Sequence, residues 1–212
     1  MQLICLANSW RPGGRCIAGI DRVTGAWIRP VPADNDAIPE SRCTVGATAL
    51  SLLDVFDVDT EMPRETPKYQ RENRILKNWN WVVRKRVSRA NIEPYIDDSA
   101  PIFHNTQDRV VAVLLDQLAP RAWKSLQLVR PRTLRFERDA FDPRRWRVRF
   151  KDRAGNEYLL KLTDPCATRR LDAGERISDG SLLTVSLTRP WCGQDESMLK
   201  LCYKVVAGVI ES

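Results

Sequence analysis

The run Arg145-Trp146-Arg147-Val148-Arg149-Phe150-Lys151 is the most chemically pointed stretch of the sequence. On a β-strand, successive side chains point to opposite faces. Trp146, Val148 and Phe150 then share a core face, while Arg145, Arg147, Arg149 and Lys151 share the other. Cations about 7 Å apart along one face repeat near the spacing of phosphates along a nucleic-acid strand. Arg132, Arg135, Arg138 and Arg144 stand close by in sequence. The strand expected to return along this one brings only Glu157 and Lys161 on its polar face, too few acids to neutralise four cations. The pattern points to a polyanion-binding face. A solvated sheet face and a docking face for an acidic protein are the competing readings.

A second cluster, Arg84-Lys85-Arg86 with Arg89, follows Trp79 and Trp81. Cations beside aromatics suit single-stranded nucleic acid, where bases stack while the cations track the backbone. The two tryptophans with Val82, Val83 and Val87 also make a buried segment, and that is the preferred reading of the aromatics.

These clusters dominate the charge distribution. The chain of 212 residues carries a net charge of +7. Residues 121–153 hold 12 Lys/Arg against 4 Asp/Glu, and residues 64–89 hold 9 against 2, so the remainder is acidic. Such asymmetry favours a polyanionic partner. Arg outnumbers Lys, 26 to 8, and its planar fork grips phosphate in a way that Lys cannot.

Other chemistries are poorly served. The single histidine, His104, excludes a zinc site with two or three His ligands. The six cysteines include no C-x-x-C pair and read as structural thiols. Gly13-Gly14-Arg15 lacks the spacing of a phosphate-binding loop. The carboxylate pairs Asp97/Asp98 and Asp195/Glu196 lie in loop-like runs with no partner for acid–base work. No catalytic residue, metal or cofactor is expected, and the chain reads as a non-enzyme. It has neither an 18-residue apolar run nor a basic leader, so a cytoplasmic location and no membrane partner are expected.

The elements that must carry these residues are mainly β. Short apolar runs over 2–7, 16–20 and 26–31 read as closely spaced strands, with 8–15 and 21–25 as turns. A longer strand is expected over 49–58, and Ser88 is placed to cap a short helix over 89–96. The segments 79–87 and 108–115 fit strand or helix equally. Beyond Pro131, residues 133–137, 145–151, 157–162, 181–187 and 200–210 read as strands, and Asp152–Asn156 closes a hairpin. The expected division is a first domain over 1–125, with a basic and partly helical insertion at about 63–107, and a second over 126–212.

Several blocks resemble a known family. Cys5–Ser9, Gly14–Gly19, Gly25–Val31, Leu53–Val55, Gln70–Asn73, Tyr158–Pro165, Leu183–Leu187 and Tyr203–Ile210 occur in the order found in bacterial dual OB domain-containing proteins. The resemblance implies two OB-like β-barrels packed in one compact chain. It also implies nucleic-acid binding and a place near prokaryotic defence or conflict genes, with no catalytic residues to carry over. OB barrels present curved strand faces to oligonucleotides.

The leading reading is therefore a non-catalytic nucleic-acid-binding module working mainly through phosphate contacts. A second is an adaptor subunit docking a larger helicase or nuclease complex. A third is a reader of modified bases similar to PUA and ASCH domains, with Trp10 or Trp27 in an aromatic cage.

Overall fold

The computed structural model describes all residues except 35–36, 46–47, 66, 193–198 and 212; Asp195 and Glu196 lie outside the described residues. The first sheet begins as a meander of β1 (Gln2–Arg11), β2 (Gly14–Asp21) and β3 (Trp27–Val31). β4 (Thr44–Val45) and β5 (Thr48–Ala49) pair only with each other. β6 (Asp54–Asp57), β7 (Thr60–Glu61), β8 (Asn73–Leu76) and β9 (Val82–Arg86) complete the sheet in the order β7-β8-β3-β2-β1-β6-β9. The stretch expected as a helical insertion thus supplies two strands, β8 running parallel to β3 and β9 antiparallel to β6. In place of one helix over 89–96 there are two 3-10 turns, Arg89–Asn91 and Glu93–Tyr95. Asn91 Oδ1 accepts from the Ser88 amide and hydroxyl at 3.1 and 3.0 Å, and Pro94, lacking an amide hydrogen, cannot extend an α-helical ladder.

The second sheet contains β10 (Arg109–Val111), β11 (Leu126–Val129), β12 (Thr133–Arg138), β13 (Trp146–Lys151), β14 (Glu157–Leu162), β15 (Leu182–Leu187) and β16 (Leu201–Ile210). Its order is β11-β15-β16-β14-β13-β12, with β10 also on β16. The two ends of this order, β11 and β12, are consecutive in the chain and separated only by residues 130–132. The sheet must therefore curl until its edges meet, with Pro131 at the bend. The ambiguous run 108–115 resolves into both states, β10 followed directly by helix α1 (Ala112–Asp116). Ile102, Phe103, Val110 and Leu115, all assigned from sequence to the first domain, pack in the core of the second sheet. β10 pairs with β16, which draws this segment across.

Helix α2 (Pro165–Asp172) was not foreseen, although its start is marked in the sequence. Asp164 caps it by accepting from the Cys166 and Ala167 amides at 2.8 and 3.1 Å, and Pro165 occupies the first helical position. The second Asp164 oxygen accepts from the Val209 amide at 2.9 Å, fixing the helix to β16.

β1 explains why the chain opens on an unbroken apolar run: both of its faces are covered. Leu3 and Cys5 lie in the core of the first sheet, whereas Ile4 and Leu6 pack with Leu128, Leu182 and Ile210 of the second. The strand is also longer than expected, running through Asn8 and Ser9 to Arg11. A bulge at Leu6 breaks its pairing with β2, and a second interrupts β15 against β16 between Thr184 and Val185. The Leu6 carbonyl accepts from Thr184 Oγ1 at 2.6 Å. Gly208 lies against that same carbonyl oxygen, so close that a Cβ there would overlap it.

Candidate functional site

The arginine stripe sits where the sequence places it. Val148 and Phe150 are fully buried, Trp146 is packed against the same core, and Arg147, Arg149 and Lys151 take the other face of β13. Arg145 lies just before the strand. The expected shortage of acids does not hold, because the strand before β13 and its connecting turn supply what the strand after it lacks. Arg147 pairs with Asp139 at 2.6 Å. Arg149 holds Glu137 at 3.0 Å and Glu157 at 2.6 Å. Arg144 and Arg145 both bind Asp142, at 2.9 and 3.0 Å. Arg138 pairs with Asp172 at 3.0 Å and lies over the Trp146 ring at 4.0 Å.

Three of the acids, Glu137, Asp139 and Asp142, are held below their ordinary values. The Arg149 hydrogen bonds hold Glu137 below its ordinary value. Asp139 is lowered by the Phe141 amide and then by Arg147, and Asp142 by Arg144. Arg132, Arg135 and Lys151 are exposed and have no acidic partner among the described residues.

The second basic cluster is similarly occupied. Arg84 binds Asp57 at 2.7 Å, Arg86 reaches Asp54 at 3.3 Å, and Arg89 holds Glu93 at 3.2 Å. Lys85 is exposed on β9, an edge strand. Trp81 is buried and stacks on Phe56 with centroids 5.3 Å apart, so it is a core residue.

A separate concavity lies between the two sheets. It is a cleft of about 660 Å³, within the roughly 300–1,000 Å³ of small-ligand sites. Its aromatic wall is Trp10, Trp191 and Tyr203. Trp10 is 50% exposed and Trp191 59%, high values for the largest apolar side chain. Both are held by backbone pairing. The Trp10 amide donates to the Thr163 carbonyl at 2.7 Å, carrying the end of β1 onto the second sheet. Trp191 exchanges two 2.9 Å hydrogen bonds with Leu201, which sets its ring 6.2 Å from Tyr203. The Arg15 guanidinium lies 4.2 Å from the Trp10 ring and is itself paired with Glu40.

The rim carries Arg11, Lys161 and Arg189. The deeper lining includes Arg29, Gln70, Asn73 and Ser186. Arg29 is only 4% exposed and anchors a network across both sheets. Its guanidinium contacts Glu72 at 2.8 Å, Asn73 at 3.0 Å, Ser125 at 3.0 Å and Ser186 at 3.4 Å. Glu72 also accepts from the Ser125 hydroxyl. The parallel pairing of Arg29 with Asn73 puts these side chains on adjacent strands.

The model of the dual OB-containing domain matches residues 1–209. The chain belongs to that family. No curated protein matches it. The two sheets thus carry the two OB domains of a dual OB protein, and the cleft is built at their junction. In an OB barrel the second and third strands and their flanking loops commonly face the ligand. In the second barrel that surface is β13 and β14, which carries the stripe, and Lys161 on β14 pairs across from Arg147.

Reading the sequence for function singled out Trp10 from this cleft but missed Arg29, Lys161, Trp191 and Tyr203 as a group. One signal was available: the blocks 25–31, 70–73, 158–165, 183–187 and 203–210, which carry the family resemblance, all contribute to the cleft or its floor. Trp27, the other proposed cage residue, instead packs between the cores.

Proposed function

We propose that this dual OB protein is a non-catalytic module that binds single-stranded nucleic acid across the junction of its barrels. The observation that carries the reading is the union of exposed tryptophans with a cationic rim in one cleft. Aromatic faces stack bases and adjacent cations track the phosphates, a pairing typical of sequence-tolerant single-strand binding. The strand would run from the cleft past Lys161 onto β13, where Lys151, Arg132 and Arg135 extend the phosphate track. A cytoplasmic accessory role in a prokaryotic defence or conflict system is the setting that the family resemblance implies.

Fluorescence anisotropy against single- and double-stranded DNA and RNA, across a salt titration, tests this. With the three rim cations and Lys151, Arg132 and Arg135 engaged, the affinity should fall with a log–log salt slope of about −4 for single strands. Lys161→Gln should make that slope shallower by about 0.7. Absence of binding to every oligonucleotide at low salt overturns the reading. A stable complex with the product of a neighbouring gene would then favour the adaptor role.

A further inference from the structure

The positive charge of the sequence is concentrated in residues 64–89 and 121–153, and acids cancel much of it in the fold. The two windows meet at Trp123, in the turn just before β11. Lys68 Nζ lies 5.8 Å from the centre of the Trp123 ring, and the Arg71 guanidinium lies 5.9 Å from it. Arg71 also donates to the Pro120 carbonyl at 3.1 Å, which sets it against the peptide bond leading into Arg121. Lys68, Arg71 and Arg121 are exposed, and none has an acidic partner among the described residues.

Cations gathered about one ring repel each other, and the negative face of the ring offsets only part of that cost. An anion among them would offset the rest. The cluster is also held firmly. Tyr69, between Lys68 and Arg71 in the chain, is buried in the core of the second sheet, with its hydroxyl 3.4 Å from Cys202 Sγ. Trp123 packs against the same core.

The patch opens off the cleft. Gln70 of the cleft lining stands between Lys68 and Arg71 in the chain. The Leu187 amide donates to the Ser125 carbonyl at 2.9 Å, so the residues ahead of β11 run alongside Thr188 and Arg189 of the cleft. In the order β11-β15-β16-β14-β13, the patch lies at β11 and the stripe at β13, with Tyr203 of β16 between them.

We infer that Lys68, Arg71 and Arg121 form a second phosphate track, which grips the nucleic-acid strand where it leaves the cleft on the side away from β13. The inference rests on the single-strand reading above and gives that site its other end. The occupant is the phosphate backbone and not a base, because two cations already take up the Trp123 ring. The strand then crosses both OB domains, from Arg132 and Arg135 through the cleft to Lys68 and Arg71.

The test is fluorescence anisotropy of the full-length protein with single-stranded oligothymidylates across a salt titration. Their lengths span about 4 to 30 nucleotides, the range that one to two OB folds occupy. Three further phosphate contacts steepen the slope for long oligonucleotides from about −4 to about −6. Lys68→Gln combined with Arg121→Gln alters two side chains that make no hydrogen bond among the described residues. That variant should return the slope to about −5, and its affinity should stop rising at a shorter length. A purely structural defect would not move the slope, which counts phosphates. An unchanged slope and length dependence in the variant overturns the patch and leaves the single-strand reading standing. Absence of binding to every oligonucleotide by the unaltered protein removes both. Binding of a polyglutamate peptide that the variant loses, with the oligonucleotide slope unchanged, would assign the patch to an acidic protein and overturn the phosphate track.

Discussion

The stripe on β13 and the cleft between the barrels are both rich in arginine, yet they handle charge in opposite ways. On the stripe, Arg147 is matched by the buried Asp139 and Arg149 by Glu137 and the exposed Glu157. In the cleft, the buried charge of Arg29 is cancelled by the buried carboxylate of Glu72, and the rim cations surround an aromatic wall. A dense run of like charges in sequence is therefore a poor guide to a charged surface. Cross-strand neighbours decide the local field, and these come from elsewhere in the chain.

The sharpest way to break the comparison is to remove each partner in turn. Trp10→Ala combined with Trp191→Ala should reduce single-strand affinity by about 100-fold or more, since each stacked base contributes roughly 1–3 kcal/mol. Arg147→Gln combined with Arg149→Gln should change it by no more than about threefold, because both cations are already ion-paired within the sheet. The same anisotropy titration reads both. The reverse ranking would return the function to the stripe.

A second difference concerns what lies beneath each surface. Lys204, next to Tyr203 of the cleft wall, is 2% exposed, and its ammonium donates to the Asn105 carbonyl and Oδ1 at 2.6 and 2.8 Å. Burial pushes its pKa down from 10.5 to about 8, outweighing the opposing influence of Asp108 and Asp152. Between those values the unfolded chain holds a proton that the native state has released, so stability rises with pH. Lys204 by itself should add a rise of about 3 kcal/mol between pH 8 and 10.5. It is set against the loss from the buried thiols of Cys5, Cys43 and Cys202, whose raised values act with the opposite sign. The rise is therefore read as the difference in denaturation midpoint between the wild-type protein and Lys204→Met. Lys204→Met should flatten that rise, whereas Lys151→Met on the stripe should leave it intact.

Gly208→Ala sharpens the contrast through geometry. Its methyl group would press on the Leu6 carbonyl and displace one barrel against the other, costing about 1–3 kcal/mol. Nucleotide binding in the cleft should weaken, with the ion pairs of the stripe undisturbed, as read by NMR shifts of the arginine Nε–H groups. The smallest effect expected is a gain. Glu137→Gln frees one arm of Arg149 and should raise oligonucleotide affinity about two- to threefold at low salt, an increase lost at high salt.

The second barrel was legible in the sequence because its strands alternate cleanly and its hairpin closes on a Gly-containing turn. The first was harder to read. β1 is apolar on both faces, β9 is mostly polar, and β8 lies in a stretch whose composition resembles a loop. The stripe was visible because its members are adjacent. Its neutralisation was not, because Glu137 and Asp139 reach it through the antiparallel pairing of β12 with β13. The cleft draws Trp10, Arg29, Lys161, Trp191 and Tyr203 from separate strands and loops, and no local pattern groups them. Arg29 nevertheless left a trace, as a lone cation in an otherwise apolar strand.

The hydroxyl of Thr184 on the Leu6 carbonyl has a consequence for how the chain could be cut or recombined. The bulge at Leu6 spends a backbone acceptor that no strand of its own barrel takes up, and the other barrel supplies the donor. Separated at residue 125, the first half would keep an unmet carbonyl beside the bare Ile4 and Leu6 side chains, and the second would lose the cover over Leu128, Leu182 and Ile210. Neither half is a transplantable part. A chimera joining the first barrel of one such protein to the second of another would have to carry over the matched pair of bulges, or its two halves would meet without a shared seam.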